Sequence, residues 1–150
     1  MSSVISSKET RQKLIERFIR YVKMDTTSDP NAASFPSTSS QFELANLLVN
    51  ELHELGVTSA SVDEKCYVTA SIPANSKATI PHIGFIAHLD TSCEAPGHGI
   101  LPQIIECYHG GDIRLPNTAD TDVFIRVDES PSLEKCIGHT LITSDGRTLL

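Results

Sequence analysis

Through the first 55 residues the large apolar side chains recur every three or four positions, and beyond Gly56 they begin to alternate. Leu14, Ile15, Phe18, Ile19 and Val22 share one helical face, and Ser6 with Glu9 three residues later has capping-box spacing, so a helix is predicted over about 7–23. Residues 25–40 carry Asp, Ser, Thr, Pro and Asn with few large apolar groups and predict an exposed loop, in which Ser37 or Thr38 caps the next helix. That helix is expected over about 39–55. Its stripe is Phe42, Ala45, Leu48, Leu52 and Leu55, widened by Leu44 and Leu47, with Glu51 and Glu54 on the wet face and Gly56 as the left-handed residue that ends it.

Past Gly56 the period approaches two. Residues 57–62 and 66–72, separated by Asp63-Glu64-Lys65, predict a β-hairpin, and 73–81 a polar connector. The run 83–89 is short and mostly apolar, the pattern of a strand covered on both faces, and is expected to be central. Residues 91–99 have loop composition, 103–108 are expected to be extended before a turn at Gly110-Gly111-Asp112, and 140–143 predict a short strand stopped by Ser144-Asp145-Gly146. Pattern alone assigns nothing to 116–131. Arg147-Thr148-Leu149-Leu150 follows a turn without a cap or a polar tail, so the chain is expected to be cut short of its full fold.

Composition narrows the function classes. A chain of 150 residues predicts one domain, able to bury about 68–70% of its unfolded surface without disulfides. No apolar run approaches the roughly 18 residues needed to cross a bilayer, so no membrane partner is expected, and the polar first ten residues do not resemble a signal peptide, which makes the cytosol the expected compartment. Twelve basic and 19 acidic side chains give a net charge of -7, with no basic cluster to attract a nucleic acid. Cys66, Cys93, Cys107 and Cys136 are far apart with no C-x-x-C, and are expected to be reduced and mostly packed.

The chemistry concentrates in Ile83-Gly84-Phe85-Ile86-Ala87-His88-Leu89-Asp90-Thr91-Ser92. On a strand, residues two apart project from one face, so His88 and Asp90 are expected side by side at its C-terminal end, where open α/β sheets place ligands. A carboxylate accepting one imidazole proton fixes the tautomer and frees the other nitrogen for a metal, and Asp90 is alternatively a direct oxygen ligand. An H-x-D arises by chance in about a third of such sequences, and a histidine bonded to a loop aspartate without any metal is the competing reading. Ser92 and Cys93 lie near His88, but no G-x-S-x-G elbow or oxyanion-hole motif supports a nucleophile. His98, His109 and His139 sit in or beside polar, glycine-containing loops and are expected to be solvated. Neither a Walker A motif nor G-x-G-x-x-G is present.

Pro81-His82 and the run through Ser92 resemble the first metal-site strand of the tripeptide aminopeptidases in the M20 metallopeptidase family. Residues 14–22 with Asp25-Thr26, Pro36-Ser37-Thr38 with the helix to Gly56, Pro102-Gln103-Ile104-Ile105-Glu106, Gly110-Gly111-Asp112-Ile113 and the stretch 138–150 are similar to that family in the same order. The resemblance implies a zinc-exopeptidase-like α/β catalytic domain with a central mixed β-sheet flanked by helices. Residues 1–150 are then its N-terminal portion, with the lid or dimerisation domain absent. It implies two zinc ions per complete site, His88 as a ligand of one, Asp90 as the catalytic-site residue orienting that histidine, a tripeptide substrate and a possible homodimer. The family's other metal ligands and its catalytic glutamate have no counterpart here, so the 150 residues alone are expected to be inactive. Another M20 hydrolase, a dipeptidase or N-acyl amino acid deacylase, is the alternative within enzymes; a non-catalytic α/β remnant or binding module is the alternative outside them. Without its covering elements the sheet is expected to expose apolar surface and to pair or aggregate through it.

Overall fold

A computed structural model describes residues 8–116 and 122–150. The Ser6 cap lies outside the described residues, as do 117–121 within the unassigned stretch. The chain is α/β and divides into two compact units, Asp25–Cys93 and a second formed by Met1–Met24 with Glu94–Leu150.

In the second unit, α1 runs over Lys8–Val22, within a residue of its predicted bounds. Its apolar face is only partly covered, and no described residue of α1 is buried. In the first unit, α2 covers Gln41–Glu54 and ends where Gly56 turns left-handed at φ +87°. Neither Ser37 nor Thr38 caps it, and Ser40 at its N-terminus makes no side-chain cap bond. The Thr38 hydroxyl instead donates to the carbonyl of Thr27 at 2.8 Å, and Ser37 Oγ accepts from the amide of Asp29 at 3.1 Å. The local competition that favours caps also serves loops, and here the loop wins both hydroxyls. The buried face of α2 carries Gln41, Leu44, Ala45 and Glu51, on the side expected from the apolar stripe, while Leu55, just past the end of the helix, is exposed. Glu51, expected on the wet face with Glu54, is only 7% exposed because it stands seven residues from Leu44 on the same side.

The hairpin forms with shorter strands than predicted: β1, Ser61–Val62, pairs antiparallel with β2, Val68–Thr69, in the register Ser61↔Thr69 and Val62↔Val68. Asp63 makes the turn, its Oδ1 accepting from the amides of Lys65 at 3.0 Å and Tyr67 at 2.8 Å.

Residues 83–89 correct the central-strand expectation. They form no strand; Ile83 is 82% and Phe85 95% exposed, and Ile86 is fully exposed. A strand exists only through its ladder, and among the described residues no segment pairs with 83–89. For the same reason the expected central mixed sheet is replaced, among the described residues, by three two-stranded antiparallel sheets. The apolar exposure foreseen for an uncovered sheet is present in this segment.

The second unit holds the other two sheets. β3, Gln103–Ile105, pairs with β6, Leu141–Thr143, and β4, Ile113–Leu115, pairs with β5, Val123–Ile125. Gly110 and Gly111, at φ +96° and +84°, make the predicted turn into β4. Tyr108, Ile113 and Leu115 form the core, with Ile105, Val123, Ile125, Leu133, Cys136 and Leu141 packed on it. Part of the unassigned stretch proves to be β5 and the start of a 3-10 helix over Pro131–Cys136. Three-residue strands are too short to show a period. The cysteines are all free, but only Cys66 is buried; Cys93 and Cys107 are exposed, which corrects the mostly packed expectation. Burial, reinforced by the Asp63 charge, pushes the Cys66 thiol up.

Candidate functional site

The site is built on the first unit, at the end of the unpaired segment 83–89. His88 Nδ1 donates to two oxygens of Asp90, the backbone carbonyl at 2.8 Å and Oδ1 at 3.2 Å. Both partners only accept, so the proton of a neutral His88 ring sits on Nδ1 and the lone pair on Nε2. The side chains are 85% and 47% exposed, and an ion pair so solvated adds little stability. Its consequence is orientation: one nitrogen is held by the acid and the other is left as a donor towards solvent. The sequence placed the two side by side, and the structure brings them into contact without the strand.

A cavity of about 760 Å³ adjoins the pair. Its walls are Phe35, Pro36, Ser37 and Gln41 from the α2 approach, 65–70 from the hairpin and 85–90 from the unpaired segment.

Directly after Asp90, the chain is tied down. Thr27 and Thr91 form a parallel β-bridge: the amide of Thr91 donates to the carbonyl of Thr26 at 3.0 Å, and that of Ser28 to the carbonyl of Thr91 at 2.9 Å. Ser28 Oγ adds a second bond to the Thr91 carbonyl at 2.9 Å, and Asp25 Oδ1 accepts from the Thr27 amide and hydroxyl at 3.0 and 2.7 Å. Thr26 is 3% exposed, so the loop expected to be exposed is buried at this point. Residues 25–28 and Thr38 are what sequence reading missed. Asp25-Thr26 and Ser37-Thr38 entered only through the resemblance, and the density of hydroxyls in 25–40 reads equally as solvated loop.

The other candidates do not join the pair. Ser92 and Cys93 are exposed beside the bridge, and Glu54, His98, His109 and His139 are exposed elsewhere. Among the described residues, no three or more of His, Cys, Asp and Glu gather into a set that could hold a metal ion. A zinc site uses three or four protein donors, and the pair supplies one imidazole and one carboxylate, so the described residues do not by themselves fit the two-zinc centre implied by the resemblance. Also among the described residues, no helix is long and apolar enough to cross a membrane.

No protein-family model matches the chain. Curated proteins do: it is 48% identical over 140 residues to a protein named peptidase T from Geobacillus kaustophilus (strain HTA426), and 50% identical over 140 residues to one from Geobacillus thermodenitrificans (strain NG80-2). The Bacillus subtilis (strain 168) protein of that name is 46% identical over 140 residues. This chain is similar to peptidase T. The similarity takes in 93% of the chain but only 34% of each of these peptidase T sequences, so the chain spans about a third of the length of the curated relatives it matches. It includes most of the described residues on both units, well beyond the H-x-D alone.

Proposed function

We propose that this chain is part of a metal-dependent aminopeptidase that releases the N-terminal residue from tripeptides. The observation that carries the reading is identity of 46–50% to peptidase T over 93% of the chain. The His88–Asp90 geometry supports it, because the acid holds Nδ1 and leaves Nε2 free to bind an ion. In this reading His88 is a zinc ligand and Asp90 orients it. The remaining donors of a two-zinc site have to come from outside the described residues, and the chain alone is inactive. A cytosolic setting, a central mixed sheet completed by further strands, and a homodimer belong to the same proposal.

A chimera tests it. This chain replaces the matching segment of the Geobacillus kaustophilus peptidase T, and cleavage of a tripeptide, a dipeptide and an N-acyl amino acid is compared with zinc present. The expected result is tripeptide cleavage, lost with His88→Ala and reduced about 10- to 100-fold with Asp90→Asn. A folded chimera that prefers the dipeptide or the N-acyl amino acid moves the chain to another M20 hydrolase. A folded but inactive chimera favours the non-catalytic remnant.

A further inference from the structure

The contacts that fix Asp90 come from the far side of the bridge, and their order is traceable bond by bond. Thr38 Oγ1 donates to the carbonyl of Thr27, Thr27 bridges to Thr91, and Ser28 holds the Thr91 carbonyl through both its amide and its hydroxyl. Thr91 follows Asp90 directly, so the peptide between them shares the rotation that aims the Asp90 carbonyl at His88 Nδ1. The pair itself is too exposed to hold that geometry alone: its ring is 85% exposed and a solvated contact of this kind is weak. The rigid part of the arrangement is instead the partly buried knot of Thr26, Ser28, Thr38 and Thr91.

We propose that Ser28 and Thr38 are positioning residues for the His88–Asp90 pair, acting through the Thr27–Thr91 bridge to keep the imidazole proton on Nδ1 and Nε2 available to a ligand. This rests on the reading of the pair as the functional site. The two hydroxyls do different parts of the task. Ser28 holds the carbonyl of Thr91, the residue after Asp90, and Thr38 holds the carbonyl of Thr27 on the other side of the bridge. The peptide after Asp90 is held directly by the Thr91 amide on the Thr26 carbonyl, and loss of either hydroxyl loosens the bridge that keeps this bond in place, so that the His88 ring, less firmly held by its two acceptors, redistributes its proton between the nitrogens.

The test reads the ring directly. The chain is prepared with 15N-labelled histidine, and the tautomer of His88 is measured about two units above the usual imidazole pKa, with His88→Gln assigning the resonance. The wild-type ring is expected to be predominantly the Nδ1–H form. Thr38→Val and Ser28→Ala are expected to shift the tautomer ratio about twofold to tenfold towards Nε2–H, the range spanned by one lost hydrogen bond. Ser28→Pro, which removes the amide donor as well, is expected to shift it further, and Thr38→Ser to restore the wild-type ratio. Should Ser28→Pro unfold the unit, Ser28→Ala carries the test, with the amide signals of Ser61 to Thr69 in a uniformly 15N-labelled sample reporting an intact hairpin. The proposal is overturned by a wild-type ring that is mainly Nε2–H. It is overturned equally if folded Thr38→Val and Ser28→Ala both keep the wild-type ratio. Cobalt(II) binding to the Geobacillus kaustophilus chimera, in which the rest of that sequence supplies further donors, separates this from the functional reading: a folded chimera that binds cobalt equally with and without His88→Ala removes the metal-site role, while an Nδ1–H ring that responds to Thr38→Val and Ser28→Ala keeps the positioning role.

Discussion

Residues 83–89 and residues 103–143 are both rich in apolar and β-favouring side chains, yet one stands unpaired in solvent while the other builds a core. Ile113 and Leu115 are buried because β5 supplies a ladder and Tyr108 a packing surface, whereas Phe85 and Ile86 have neither. Apolar pattern therefore states a demand for cover, and strand formation reports whether a partner meets it. The His88–Asp90 contact shows that a pair within one tripeptide meets without a full ladder, the single Thr27–Thr91 bridge beside it being its only pairing among the described residues.

The comparison can be broken at its strongest point first. Leu115→Ala empties part of the 103–143 core and is expected to destabilise that unit by about 2–5 kcal/mol in denaturant unfolding. A loss below about 1 kcal/mol would mean that the core packs no better than the exposed segment. Gly146 comes next: at φ +91° its added Cβ would meet Leu115 Cβ at 3.2 Å and Val123 Cγ1 at 3.4 Å, while at Gly56, φ +87°, it would meet nothing within 4 Å. Gly146→Ala is expected to cost more than the roughly 1–2 kcal/mol of left-handed strain that Gly56→Ala costs alone, and equal thermal shifts in the two variants would contradict the close packing.

Asp145 gives a pH handle on the same unit. It is 2% exposed, and the Arg147 guanidinium, whose Nε donates to Oδ2 at 2.6 Å, holds its carboxyl below the usual value despite burial. A depressed folded pKa stabilises above the unfolded value and is lost as pH falls through the folded one. Stability should therefore drop as pH falls below about 3.9, and Asp145→Asn should be about 1–3 kcal/mol less stable at neutral pH with less acid sensitivity. A variant with the wild-type acid profile removes Asp145 as the source. The smallest effect belongs to the exposed segment: Phe85→Ala is expected to change folding stability by no more than about 0.5 kcal/mol. Ile86→Lys, with the same small effect on stability, should lower concentration-dependent association by charging an unpaired apolar edge, as read by sedimentation. Unchanged association would show that 83–89 is not the adhesive surface.

The chain's local rules carried far in some places and stopped abruptly in others. The periods of α1 and α2, the Asp63 turn, the left-handed Gly56 and the turns at Gly110-Gly111 and Gly146 were all legible, because each depends on residues a few positions apart. β5 was not legible, since three residues with two charged neighbours show no alternation, and β4 gains its meaning only across the ladder. Glu51 was misplaced because its charge was taken to set its face, although it stands seven residues from Leu44 on the buried side of α2. Thr38 was read as a cap because a hydroxyl before a helix fits that role, and only the approach of Thr27 redirects it.

By itself, then, the sequence determined where the backbone coils, where it turns left-handed, and that an imidazole and a carboxylate meet two positions apart. Tertiary structure decided which apolar runs find cover, which hydroxyls hold Thr91, and that 83–89 remains without a ladder. The physical reason is range: torsional preference and i, i+2 contact are settled among neighbours, whereas a ladder or a buried face requires a second segment brought from a distance against the loss of chain entropy.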